Sequence, residues 1–357
     1  MTTIDLGELR TRTDGIALAG DDRKLTRRDF TSDQEVRWCP GCGDYSILAT
    51  IQGHMPELGV APENTVVISG IGCSSRFPYY IDSYGMHGVH GRAPAIATGV
   101  AVARGDVAVW VASGDGDSLA IGGNHTIHML RRNVNITMLV FNNRIYGLTK
   151  GQYSPTSPQG TVSKTSPMGS VDHPFSPVRL ALGADATFVA RSMAADRQHL
   201  AEMLRRAAQH RGSAFIEIYQ NCPIFNDGAY DVLKDETEDQ AHVLRLEDGQ
   251  PLRLGKDRVV VRDEKGGLKV VAAQGVPESD IVVCDSKAED PALAFALASL
   301  EGDDMACVPM GVFRDVQRPA YDDMIRAQIA EASKDQPEVT DDDLWKLFAG
   351  QDTWVVG

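Results

Sequence analysis

The chain has 357 residues, enough for one large domain or two with a real interior, and its 43% apolar and 24% charged content is that of a soluble globular protein. A net charge of −14 argues against a nucleic-acid role, because phosphate binding needs a basic surface. Neither an export signal nor a membrane span is expected: residues 1–33 are polar and charged, and the most apolar stretch, Ala93 to Ser113, is interrupted by Arg104, Gly105 and Asp106.

In chain order, residues 1–30 are expected to form a flexible lead-in. Cys39-Pro40-Gly41-Cys42 follows. Thr65–Ser69 has the pattern of a buried strand, with Cys73 just beyond it, and Pro94–Ala103 is a small-residue helix. Val107–Ala112 is a second buried strand and ends in Gly114-Asp115-Gly116-Asp117. Ser118–Arg132 is helical, and Ile136–Phe141 is a third strand ending in Asn142-Asn143. Tyr146 to Pro177 is a long loop rich in Gly, Pro, Ser and Thr, which is unusual in a compact domain unless it has a task. Ala186–Ala190, Arg197–His210 and Ala214–Tyr219 repeat strand, helix and strand. Continuous apolar strands separated by helices predict an α/β fold, a parallel sheet covered by helices on both faces. This domain is placed at residues 31–230. Residues 231–357, with short charged strands over Val243–Val270, a helix at Asp290–Leu300, Pro319 and an acidic run at Asp341–Asp343, form a C-terminal extension.

Asp115 and Asn143 are 28 positions apart, separated by one helix and one strand. Neighbouring parallel strands bring their C-terminal ends together, and open α/β sheets bind ligands at that edge. A carboxylate and an amide oxygen suit Mg²⁺, which takes oxygen ligands and shares them with phosphates. Gly114 and Gly116 leave room for a diphosphate to approach the backbone. The bland alternative is two tight turns in a Rossmann-like sheet.

The C-x-x-C pair alone is ambiguous among half a zinc site, a dithiol redox pair and half an iron–sulfur site. Without an export signal the compartment is expected to be the reducing cytoplasm, where six cysteines are ligands, redox groups or buried thiols sooner than disulfides. Cys73 and Cys222 each lie just past a strand and so can meet Cys39 and Cys42 at one sheet edge. Cys284 and Cys307 sit among apolar neighbours and read as buried thiols.

Trp38-Cys39-Pro40-Gly41-Cys42-Gly43-Asp44, Gly70-Ile71-Gly72-Cys73-Ser74, His90-Gly91-Arg92-Ala93, Gly114-Asp115-Gly116-Asp117, Asn142 through Gln152 and Cys222-Pro223 occur in this order. The series resembles the thiamine-diphosphate-binding β subunits of 2-oxoacid:ferredoxin oxidoreductases, over about residues 30–230, and the extension is similar to 2-oxoglutarate-type subunits of actinobacteria. The resemblance implies a Mg²⁺ held by Asp115, Asn143 and the carbonyl of Ile145. It implies one 4Fe–4S cluster on Cys39, Cys42, Cys73 and Cys222. Cofactor contacts carried over with the motifs are Gly72, Cys73, Ser74, His90, Gly114, Asp115, Gly116, Asp117, Asn143, Ile145, Gly147 and Leu148. His90 is expected to act at the reacting centre, with His87 an open case, and Arg76 and Lys150 are the cations offered to substrate carboxylates. Asp117 and Ser118 either support the diphosphate or cap the next helix.

The reaction so implied is oxidative decarboxylation of 2-oxoglutarate to succinyl-CoA and CO₂, with electrons passing singly through the cluster to ferredoxin. A separate α subunit is expected to supply the pyrimidine-binding half of the site. No nucleic-acid or membrane partner is expected. Three other readings stay open: pyruvate or a branched-chain 2-oxoacid as substrate, a non-redox thiamine diphosphate enzyme with zinc, and a non-catalytic scaffold subunit.

Overall fold

The computed structural model describes residues 11–20, 22–234, 241–334, 339–350 and 354. In chain order the strands are β1 (Thr65–Ser69), β2 (Tyr84–His87), β3 (Ala108–Gly114), β4 (Thr137–Asn142), β5 (Ile145–Tyr146), β6 (Gln152–Tyr153), β7 (Phe188–Met193), β8 (Ala214–Tyr219), β9 (Val243–Leu246), β10 (Arg253–Leu254), β11 (Arg258–Arg262), β12 (Leu268–Ala272) and β13 (Val308–Asp315). Eight of them make one sheet in the order β2-β1-β3-β4-β8-β7-β13-β9. The first six run parallel, β13 is antiparallel to β7, and β9 is parallel to β13. The carboxyl ends of β1, β3, β4 and β8 therefore share one edge.

The strands are apolar throughout because both faces are covered. Val66, Ile68, Val109, Val111, Met138 and Val140 point into one core, under helices α2 (Ala93–Ala103), α4 (Gly123–Arg131) and α5 (Pro177–Gly183). Val67, Trp110, Ala112, Leu139 and Phe141 point into the other, the alternation a strand imposes. That second core is closed by α1 (Asp44–His54) and α6 (Arg197–Gln209), which pack on each other. Helix α6 buries Leu200, Met203, Leu204 and Ala207, one stripe at helical spacing, and Asp196 caps it by accepting the His199 amide.

Several elements differ from the sequence expectation. Over its described part the lead-in is mostly exposed but anchored at points: the Arg12 side chain is buried and donates to the carbonyls of Ala207 and Gly212, and Ile16 and Phe30 are buried. Arginine carries a long apolar stem, so charge did not mean exposure here. The Ser118–Arg132 helix is instead two, α3 (Asp115–Leu119) and α4, broken at Gly122, where a Cβ would stand 2.3 Å from the Asp117 carbonyl. Strand β13, unassigned in the sequence because Pro309 and Gly311 interrupt its pattern, is buried along its whole length. Through β9 and β13 the chain beyond residue 230 extends the main sheet. Strands β10–β12 form a separate antiparallel sheet, and α7 (Ala292–Ala298) and α8 (Tyr321–Ser333) cover the body, whereas α9 (Asp341–Ala349) buries no residue. Among the described residues no helix is long and apolar enough to cross a membrane.

Candidate active site

A cavity of about 340 Å³ opens at the shared edge. Its wall includes Gly72, Cys73 and Ser74 after β1, Gly114 to Asp117 after β3, Asn143 and Ile145 to Thr149 after β4, together with Asp44 and His90. Pairing of β3 with β4 sets Gly114 opposite Phe141, which brings the two motif turns side by side.

Asp115 is buried, and burial pushes its carboxyl pKa up, opposed by hydrogen bonds from Ser154 and Thr156. Both hydroxyls fall on the same oxygen, Oδ2, that of Thr156 at 2.6 Å. The Asn143 amide oxygen accepts the Ile145 amide at 3.2 Å and keeps a lone pair. A buried carboxylate, an amide oxygen and the neighbouring carbonyl of Ile145 can hold a hard cation.

Asp117 does not cap a helix. Its carboxylate accepts the backbone amides of Ile71 and Gly91 and the hydroxyl of Ser113, and His90 Nδ1 lies 2.7 Å away. It brackets the loops after β1, β2 and β3 instead of capping a helix. Gly70 is obligatory beside it, because a Cβ there would fall 2.1 Å from Asp117 Oδ2. Gly116 has a further reason to be glycine. A Cβ on it would meet the Tyr146 ring at 2.2 Å, so the glycine makes room for an aromatic wall, and the Tyr146 hydroxyl donates to the Gly116 carbonyl.

The cysteines converge from three directions. The Cys39–Cys42 loop leans on residues 220–223: the Gly43 amide donates to the Asn221 carbonyl, and Gln220 Nε2 donates to Cys42 Sγ at 3.0 Å. Trp38 Nε1 donates to the Cys73 carbonyl at 2.7 Å. Burial pushes the Cys73 thiol up to about 11, with further pushes from Asp44, Cys222 and Cys39. Cys42 is raised by burial and by Asp44, Cys73 and Cys222, so the four thiols share one neighbourhood. Buried polar atoms around them lack protein hydrogen-bond partners: Asp44 Oδ2, Gln220 Oε1, Ser74 Oγ and Ser75 Oγ. Such atoms are rare in folded interiors; the Ser74 and Ser75 hydroxyls can donate to sulfur, whereas Asp44 Oδ2 and Gln220 Oε1 are acceptors and call for a donor or a cation. Among the described residues no three His, Cys, Asp or Glu side chains gather closely enough for a single metal ion, and a cubane separates its ligand sulfurs more widely than one ion does. Cys284 and Cys307 are buried elsewhere, in the core.

Every residue expected to touch the cofactor lies in the cavity wall. Arg76 and Lys150 do not. Arg76 Nε donates to the Tyr80 hydroxyl, and Lys150 is exposed at the rim with φ of 68°. His87 is exposed on the edge strand β2, near the ring of Tyr79, and Arg92 reaches the Ile121 carbonyl at 3.5 Å. Sequence reasoning missed Asp44, Tyr146, Ser154, Thr156 and Glu217. The run Ser154-Pro155-Thr156-Ser157 inside an unexplained long loop was the available signal.

Residues 70–218 match the family model described as the thiamine pyrophosphate enzyme, C-terminal TPP binding domain. A 2-oxoglutarate oxidoreductase subunit KorB of Mycobacterium tuberculosis is 54% identical over 99% of this chain and 94% of its own length. The 2-oxoglutarate synthase subunit KorB of Methanocaldococcus jannaschii is 38% identical over 66% of this chain and 85% of its own. Among solved structures, a 2-oxoglutarate:ferredoxin oxidoreductase from Magnetococcus marinus, with 2-oxoglutarate, coenzyme A and succinyl-CoA bound, superposes with a TM-score of 0.72 at 33% identity, covering 93% of this chain and 99% of that one. The fold and site define a thiamine-diphosphate-dependent enzyme subunit. The chain belongs to the family of 2-oxoacid:ferredoxin oxidoreductase β subunits.

Proposed function

We propose that this chain is the β subunit of a CoA-acylating 2-oxoglutarate:ferredoxin oxidoreductase, working with an α subunit in the cytoplasm. The observation that carries the reading is the meeting of the two sites. Cys73 lies in the same cavity wall as Asp115 and Asn143, and its Sγ stands 3.3 Å from where a Cβ on Gly147 would be. Thiamine diphosphate, when bound, supplies the carbanion chemistry that cleaves a 2-oxoacid, and a 4Fe–4S cluster supplies one-electron transfer.

The chain's own residues then do the following. Asp115, Asn143 and the Ile145 carbonyl would hold Mg²⁺, and Cys39, Cys42, Cys73 and Cys222 would hold the cluster that supplies one-electron transfer to ferredoxin. His90, fixed by Asp117, faces the cavity and is placed to hold or move a proton there. Arg76 and Lys150, outside the cavity wall itself, are the cations offered to substrate carboxylates. The α subunit closes the open side and supplies the pyrimidine-binding half. Names of relatives that specify 2-oxoglutarate support that substrate over pyruvate.

The test is a side-by-side assay of 2-oxoacids with ferredoxin, using the complex purified without oxygen. Preferred turnover of 2-oxoglutarate is expected, and a clear preference for pyruvate overturns the substrate assignment.

A further inference from the structure

The Ser154-Pro155-Thr156-Ser157 turn is polar yet buried: Ser154, Thr156 and Ser157 are each at most 3% exposed. Buried hydroxyls need partners, and these three find theirs in the two metal-motif turns. Ser157 donates to the Arg144 carbonyl at 2.6 Å and accepts the Ser154 amide at 2.8 Å, which pins the turn to the segment after β4. Ser154 and Thr156 both reach Asp115 Oδ2. Thr156 Oγ1 also lies 2.9 Å from the Asn142 amide oxygen. The hydroxyl has one proton and two acceptors, and an ionised carboxylate is the stronger acceptor. The Asn142 oxygen retains the Arg144 amide, 3.2 Å away.

Behind the turn, the Asn142 amide donates to Glu217 Oε1 at 2.7 Å, and Glu217 is held by Arg191 Nε at 2.7 Å, all fully buried. Arg191 also pairs with Glu301, from the chain beyond residue 230, at 2.9 Å. The hydrogen-bonded path from the sheet interior to the carboxylate of Asp115 thus runs from Asn142 through the Arg144 backbone and Ser157 to Ser154.

We propose that Ser154 and Thr156 are positioning residues for the metal carboxylate, fixing the rotation of Asp115 for a divalent cation, with Asn142 and Glu217 as their rigid backing. Resting on the Mg²⁺–diphosphate reading above, the assignment follows from geometry: a carboxylate gripped on one oxygen by two buried hydroxyls cannot rotate freely. Outer hydrogen bonds of this kind orient metal ligands, and their loss typically weakens metal binding about 10- to 100-fold.

The experiment uses the αβ complex with wild-type, Thr156→Val, Thr156→Ser, Ser154→Ala and Asp115→Ala chains. Thiamine diphosphate binding is followed by calorimetry while Mg²⁺ or Ca²⁺ is varied, with circular dichroism and cluster absorbance as fold controls. Thr156→Val and Ser154→Ala are each expected to raise the Mg²⁺ requirement about 10- to 100-fold, with Thr156→Ser within about 3-fold of wild type. The loss should be smaller with Ca²⁺, whose flexible coordination tolerates a misaligned carboxylate whereas Mg²⁺ demands near-ideal octahedral geometry. A merely structural defect would weaken both cations alike, and that result overturns the proposal, as does an unchanged Mg²⁺ requirement in both Thr156→Val and Ser154→Ala. If Thr156→Val does not fold, Ser154→Ala decides alone. Failure of the underlying reading looks different: Asp115→Ala would then bind cofactor as well as wild type.

Discussion

The two halves of the site are built on opposite principles. Around the metal carboxylate the protein satisfies itself. Asp117 is bonded by the loops it joins, Asp115 is gripped by two hydroxyls, and Tyr146 fills the space that Gly116 leaves. Around the cysteines it does not. Two thiols are pushed up by burial and mutual proximity, and four buried polar atoms have no protein partner. An oxygen-ligand site can be preorganised by ordinary hydrogen bonds. A thiolate site concentrates negative charge that a bound metal core must offset, so it stays incomplete until that core is present.

The largest effects should separate the halves. Asp115→Ala or Asn143→Ala is expected to abolish Mg²⁺-dependent thiamine diphosphate binding, at least about 100-fold by calorimetry, while leaving the iron content unchanged. Iron loss in these variants would break the contrast. Conversely, anaerobically purified wild-type chain should carry about four irons, the content of one cubane. Cys222→Ser should lose them, and Cys284→Ser should not. Stoichiometric zinc in place of iron would remove the electronic reason for the cysteine half.

Next in size is dependence on the partner. The cavity opens to solvent on one side and this chain has no second sheet of similar build among its described residues. The isolated chain should therefore show no 2-oxoacid-dependent reduction of a viologen dye, and the α subunit should restore it. Activity of the chain alone would end the idea of a divided site.

A smaller effect sharpens the preorganised half. Gly116→Ala must displace the Tyr146 ring, at a cost of about 1–3 kcal/mol by the usual scale of overpacking. Thermal unfolding should detect it, and cofactor affinity should fall with it. An unchanged melting temperature would show that Tyr146 yields freely.

The smallest expected effect lies at the opposite edge of the sheet and gives a baseline for buried charge without cofactor chemistry. Burial pushes the Asp315 carboxyl up, but hydrogen bonds from His210 and Lys287 prevail and hold it down at about 2. A carboxyl depressed in the folded state stabilises above its unfolded pKa of about 4, and that contribution is lost as pH falls toward 2. Asp315→Asn should flatten the acid limb of the stability curve between those values and leave cofactor binding alone. A steep limb retained in the variant would shift the acid sensitivity to other carboxylates.

Much of this protein was legible in its sequence because the informative patterns are local. Apolar runs of strand length marked β1, β3, β4, β7 and β8, since a strand covered on both faces can carry few polar residues. The Gly114-to-Asp117 and Asn142-Asn143 turns, Cys73 and Cys222 fell where strands end, and parallel topology gathers strand ends at one edge. What stayed hidden depends on contacts between segments far apart in the chain. Thr156 meets Asp115 across 41 positions, Glu217 meets Asn142 across 75, and Glu301 reaches Arg191 from beyond residue 230. No periodicity encodes such pairings, because a buried Thr, Ser or Glu looks like a surface residue until the fold supplies its partner. The sequence by itself determined the chemistry and the side of the sheet on which it occurs. The tertiary structure decided which groups hold Asp115 in place, why Gly116 and Gly70 must be glycine, and that β9 and β13 belong to the main sheet.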